Sequence, residues 1–275
     1  MDVQDEVRDR RKRTFFRVRV GVLLTVLFVV VLYAIQDYRS RRARNDWTRT
    51  LDVALVLVHV EGKPAIDGSL LAVLRARAGT LEDRLHAEAR RYRADAVRPF
   101  RIRLLGPVEV KGAAPTPASE SAVDLASHTL DLRRWLADVD PRAGVDPDHY
   151  DTRIYVSVQR PASELRSFVE GQSQEGGRVG VVAVELDESM VDLTLFVTTH
   201  ELLHTLGATD RYDATGRTVV PDGLAEPDRV PRYPQRFAEV MARNRPVSPT
   251  SEEIPSSLDE LAVGARTATE IGWLR

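Results

Sequence analysis

The residues best equipped for chemistry lie in one run, His200-Glu201-Leu202-Leu203-His204-Thr205-Leu206-Gly207-Ala208-Thr209-Asp210, which reads H-E-x-x-H-x-x-G-x-x-D. A helix turns about 100° per residue, so His200 and His204 fall on one face and their imidazoles can converge on one metal ion. Glu201 projects toward the same cleft without having to bind the metal. It is placed to take a proton from a water that the metal activates. A catalytic zinc keeps three protein ligands and one open position for such a water. Gly207 tolerates positive φ, so the helix can stop and the chain can turn back, bringing Asp210 in as third ligand. Two imidazoles and one carboxylate suit Zn2+.

The plainer reading makes His200 and His204 ordinary core histidines. Two adjacent buried imidazoles with a carboxylate between them are costly without a partner, which speaks against it. The flanks are apolar: Met190, Val191, Leu193, Leu195, Phe196, Val197, Leu202, Leu203 and Leu206 predict a buried helix. A second ligand set stays open, in which a later glutamate completes the site. Glu226 and Glu239 stand at workable separations. Gly207 has a clear job only if the chain turns back, which favours Asp210. His59, His86, His128 and His149 lack ligand spacing and read as structural or surface residues.

On these residues the chain resembles the metzincin metallopeptidases, whose motif H-E-x-x-H-x-x-G-x-x-H precedes a methionine turn. Asp210 at the third position is similar to the aspartate variant of snapalysin-like secreted bacterial proteases. Asp210-Arg211-Tyr212-Asp213 is similar to the D-x-Y-D stretch of immune-inhibitor-type proteases. The resemblance implies zinc held by His200, His204 and Asp210, with Glu201 as general base. It also implies that Met241, in Ala238-Glu239-Val240-Met241-Ala242, is the methionine turn beneath the metal. Some metzincins carry a tyrosine two residues after that methionine. Arg243 stands there, which leaves that role empty; Tyr212 and Tyr233 are the tyrosines that can substitute. The motif match covers Thr199 to Asp213 and reaches Met241; elsewhere the likeness is architectural.

The second clear feature is an uncharged run from Val20 to Gln36, rich in Val and Leu, at the short end for a spanning helix. Arg17, Arg19 and Arg39 can snorkel and extend it, and Tyr33 and Tyr38 suit an interfacial belt. No small-x-small cleavage site follows, so the run reads as an uncleaved anchor rather than a removed signal peptide. A slight excess of arginine before it favours a cytoplasmic N-terminus and an extracytoplasmic domain. The expected organisation is a basic cytoplasmic tail (1–17), a transmembrane signal anchor (18–38), a juxtamembrane linker (39–50) and a peptidase domain (51–275).

A net charge of −2 offers no global argument for nucleic acid. Lysine occurs only at 12, 63 and 111, so 36 of the 39 basic residues are arginine, as codon bias in a GC-rich genome would produce. Cysteine is absent, which excludes disulfides, thiol redox chemistry and latency through a thiol on the metal.

Patterning predicts an α/β (α+β) domain with a mixed twisted sheet, an active-site helix and an irregular C-terminal subdomain, preceded by one transmembrane helix. Strands are expected at 51–60, 100–110, 152–159 and 178–186, and helices at 69–96, with a break at Gly79, and 121–139. The arginines of the first helix read as a solvated face. Gly112 to Pro117 reads as a loop and Gly176-Gly177 as a turn. The stretch 213–257 is irregular, and 258–273 is expected as a helix capped by Ser256 or Ser257. By resemblance, 178–186 is the candidate edge strand for pairing with extended substrate; the plainer reading makes it an internal strand of the sheet. The expected function is a membrane-anchored zinc endopeptidase that hydrolyses peptide bonds through a zinc-activated water. Its partners would be a protein or peptide substrate and the membrane, with no nucleic acid and no oligomeric state specified. The alternative is a catalytically inactive zinc-binding module that serves as an envelope interaction or scaffold protein.

Overall fold

The computed structural model describes residues 3–117, 119, 121–161, 170–173 and 177–274. It divides into two units, Met1–Arg44 and Asn45–Arg275. The first unit is one helix, α1 (Val3–Arg44). Its apolar side chains, among them Leu23, Leu24, Phe28 and Val29, are exposed. The segment Phe15–Arg44 is long and apolar enough to cross a membrane, a description that a signal sequence also meets.

The stretch expected as a linker is divided between the units. The helix continues through Arg44, whereas Trp47 is already part of the domain core. The Trp47 indole N–H donates to Ile271 O at 2.7 Å, and its ring meets Phe100 and Trp273 edge-on.

The second unit is mixed α/β. Its strands are β1 (Leu51–Val60), β2 (Phe100–Val110), β3 (Thr152–Gln159), β4 (Glu170–Ser173) and β5 (Val179–Glu185). They form one sheet in the order β2-β1-β3-β5-β4. The first four in that order are parallel, and β4 is antiparallel to β5. Parallel neighbours need long crossovers. Helix α2 (Gly68–Tyr92) connects β1 to β2, and α3 (Ala122–Ala143) connects β2 to β3. Because both faces are covered, β1 reads as a nearly continuous apolar run rather than an alternating one. One face packs Leu55, Leu57 and Val156 against Leu74, Leu81 and Leu85 of α2 and Leu195, Phe196, Leu202 and Leu203 of α4 (Val191–Thr205). The other packs Val56 and Tyr155 against Val139 of α3.

Four sequence expectations are corrected. Helix α2 passes unbroken through Gly79 and ends at Tyr92. A helical glycine costs about 1 kcal/mol. The apolar contacts of Leu74, Ala78, Leu81 and Leu85 on both sides of it outweigh that cost. Strand β5 is internal, paired with β3 on one side and β4 on the other. The strand at this edge of the sheet is therefore β4, a four-residue stretch too short and too polar to read as a strand in the sequence. The expected C-terminal helix is three pieces: a 3-10 turn Leu258–Glu260, a two-residue strand Leu261–Ala262 and a short helix α5 (Ala265–Glu270). Leu261–Ala262 pairs with Ala238–Glu239, and that pairing straightens the chain before α5 can begin. Ser257 does cap the first piece, accepting Asp259 N–H at 3.1 Å. Two arginines of α2 do not form a solvated face: Arg77 Nε donates to Asp192 at 2.7 Å and Arg84 Nε to Leu261 O at 2.9 Å. Gly176 lies outside the described residues.

From residue 213 to 257 the only ladders among the described residues are two residues long. Polar side chains hold this region. The buried Gln235 amide accepts Glu226 N–H at 2.8 Å and donates to Arg232 O at 2.7 Å. Glu226 accepts Arg236 N–H at 3.0 Å, and Glu252 accepts Thr218 N–H at 2.9 Å.

Candidate metal centre

Helix α4 is buried along most of its length, including Thr199, His200 and Glu201. Its end explains Gly207. Gly207 N–H donates to His204 O at 2.9 Å and Ala208 N–H to Leu203 O at 3.0 Å, with Gly207 at φ 96°. This is a Schellman motif, which needs a left-handed residue just past the helix. The turn has a chemical consequence. It brings Ala208 O back to His204 Nδ1 at 2.8 Å. His200 Nδ1 meets Val240 O at 2.9 Å from a different part of the chain.

These two bonds set the tautomers. A carbonyl only accepts, so each Nδ1 carries the proton and each neutral imidazole presents a lone pair at Nε2. The two Nε2 atoms are 3.0 Å apart, and each is 3.2 Å from Asp210 Oδ1. Three lone-pair atoms thus converge with no donor among them, an arrangement that a cation relieves. A tetrahedral zinc with bonds of about 2.0–2.2 Å sets its ligand atoms roughly 3.3–3.5 Å apart, within a few tenths of an ångström of this spacing. Among the described residues this is the one group of three His, Cys, Asp or Glu side chains that could hold a metal ion.

Asp210 is held by its neighbours. Thr209 N–H donates to Glu270 at 3.0 Å, the Arg211 guanidinium pairs with Glu270, and Arg211 N–H donates to Met241 O at 2.9 Å. The Asp210 carboxylate faces both imidazoles across 3.2 Å. It is an anion at neutral pH. Tyr212 stacks on His200, with ring centroids 6.3 Å apart. Burial and the Asp210 charge push the Tyr212 hydroxyl up to about 12, so it remains protonated.

Glu201 is 3% exposed, and its Oε2 has no hydrogen-bond partner. Two glycines that sequence reasoning missed make room for it. A Cβ on Gly171 of β4 would lie 2.2 Å from Glu201 Oε1. One on Gly180 of β5 would lie 2.7 Å from Ile154 Cδ1 and 3.4 Å from Glu201 Cβ. For Gly180 the only signal in the sequence is a glycine inside a stretch of strand propensity, and Gly171 has none.

Met241 is fully buried in a 3-10 turn, Val240–Ala242, between the carbonyl that orients His200 and the strained residue Arg243. Glu239 is not at the metal ligands. Its carboxylate accepts Met241 N–H at 2.7 Å, Ala242 N–H at 3.0 Å, Gly264 N–H at 3.1 Å and Thr267 Oγ1 at 2.7 Å. Burial raises its pKa despite these donors. Glu226 is engaged by Arg236 and Arg229. Neither glutamate is free to complete the site, so of the three candidate third ligands only Asp210 faces the histidines.

No family model matches the chain, and no curated protein matches it. Among solved structures it is similar to the crystal structure of archaemetzincin from Methanopyrus kandleri, at 18% identity over 82% of this chain and 87% of that one, with a TM-score of 0.32. So slight a likeness carries no argument, and the centre stands on its own side chains.

Proposed function

We propose that this chain is a zinc-dependent endopeptidase, anchored in a membrane by α1 with its N-terminus cytoplasmic and its domain outside. His200, His204 and Asp210 are the ligands and Glu201 is the general base. One observation carries the reading: three acceptor atoms converge while both Nδ1 protons are committed to carbonyls. When bound, zinc supplies a Lewis acid that polarises a carbonyl and lowers the pKa of a water. The protein does the rest. The Glu201 carboxylate, buried with an unpartnered Oε2, accepts the proton of the attacking water and returns it to the leaving amine. Val240 O and Ala208 O keep both imidazoles in the tautomer that leaves Nε2 free. Met241 lies beneath the centre as the methionine turn.

The test uses the full-length chain in detergent, with zinc content by elemental mass spectrometry and hydrolysis of a denatured protein. The wild type should carry one zinc and cleave. Glu201→Gln should keep the zinc and lose about 10²–10⁴-fold in rate. Asp210→Ala should lose most of the metal. Cleavage retained in the first variant removes Glu201 from the mechanism; zinc retained in the second removes Asp210 from the ligand set.

A further inference from the structure

Two non-glycine residues among those described have positive φ, Trp47 at 56° and Arg243 at 70°. Trp47 has a core reason, since its ring is buried against Phe100 and Trp273. Arg243 has none, because its side chain is only half-buried. Its backbone, φ 70° and ψ −47°, is closed by a bond from Asn244 N–H to Ala242 O at 2.8 Å. That is the positive-φ γ-turn, a rare and strained form. Strain of this kind persists where surroundings over-determine it, and it concentrates at functional sites.

The turn aims the guanidinium over the Tyr212 ring, 5.3 Å from its centroid. The Tyr212 hydroxyl lies close enough to Asp210 and Arg243 to feel both charges, and its ring stacks on His200. A chain of contacts therefore runs from the strained arginine through Tyr212 to the carboxylate that faces both histidines.

We infer that Arg243 is a positioning residue for the metal centre: its γ-turn locks Tyr212, and Tyr212 orients Asp210 toward the metal. The inference rests on the metal-site reading above. Partners of this kind change metal affinity by about 10–100-fold. Charge alone predicts the opposite sign, since removing a cation near a divalent ion tightens binding. The two roles are therefore separable.

The experiment is a zinc competition titration against a chromogenic chelator on full-length protein in detergent, with melting temperatures of the metal-free forms. Arg243→Gly suits the backbone, because glycine adopts positive φ freely. Its metal-free melting temperature should equal or exceed that of the wild type, while its zinc affinity falls about 10–100-fold. Tyr212→Phe should lose a similar factor, and the double variant no more than either alone. If the wild type binds zinc and Arg243→Gly binds it equally well or more tightly, this inference is overturned and the ligand set stands. If Arg243→Gly weakens zinc only in step with a lowered melting temperature, the role is structural and the inference is again overturned. A wild type that binds no zinc overturns the metal reading, and this one with it.

Discussion

The two halves of the domain are held together by different forces. From Leu51 to Thr205 the chain is regular, and apolar side chains from α2 and α4 interlock with a largely parallel sheet. Beyond Leu206 the ladders shrink to two residues, and carboxylates take over: Glu239 gathers four donors, and Glu270 holds Thr209 and Arg211. The proposed metal centre straddles the two. His200, Glu201 and His204 come from the regular half, and Asp210, Val240 O and Ala208 O from the irregular one. A rigid helix sets the spacing of the two histidines, while a polar-bonded loop supplies the carboxylate and the orientation of all three side chains.

The strongest way to break this comparison is Glu239→Ala. It leaves two backbone N–H groups of the Val240–Ala242 turn, Gly264 N–H and Thr267 Oγ1 without their acceptor, and it should cost about 3–5 kcal/mol in urea unfolding. Zinc affinity should fall too, because Val240 O, which orients His200, sits in the same turn. Leu74→Ala, a fully buried site in the regular half, should cost about 2–5 kcal/mol and leave the zinc affinity of the folded protein unchanged. If both variants lose metal alike, the division of labour between the halves is wrong.

A smaller effect sharpens the junction. Nothing lies within 4 Å of a Cβ built on Gly207, so Gly207→Ala tests conformation alone. At φ 96° it should cost about 1–2 kcal/mol. By moving Ala208 O from His204 Nδ1, it should weaken zinc as well. Unchanged stability would show that the Schellman turn does not constrain the centre.

The smallest expected effect comes from a tie between the halves. Asp192 of α4 accepts Arg77 from α2 and Leu258 N–H from the C-terminal segment. Burial disfavours its charge, but Arg77 and Leu258 N–H outweigh it and hold its pKa below the usual value of 3.8. A lowered pKa means stabilisation that is complete above the unfolded value and lost as pH falls through the folded one. Asp192→Asn should therefore cost about 0.5–1 kcal/mol at pH 7, since solvent screens this partly exposed pair. The gap from the wild type should narrow below pH 3.8; a gap that persists at lower pH would remove the ion pair from the account.

Much of this molecule is legible in its sequence because its local signals are strong. Strands 51–60, 100–110 and 152–159 have the predicted bounds: burial on both faces makes the first and third largely apolar, and polar turns bound all three. His200, Glu201, His204, Gly207 and Asp210 are legible because helix periodicity and glycine's access to positive φ translate directly into geometry. Tertiary structure alone decided the rest. No periodicity marks β4, whose place at the edge, with Gly171 against Glu201, depends on a partner strand. The C-terminal segment carries enough helix formers to read as one helix, but pairing with Ala238–Glu239 and the buried Glu239 carboxylate divide it. Which carboxylate faces the two histidines, Asp210 or Glu239, was likewise open in the sequence. It turned on which had its oxygens taken by donors, and two of the donors to Glu239, Gly264 N–H and Thr267 Oγ1, come from 25 and 28 positions away.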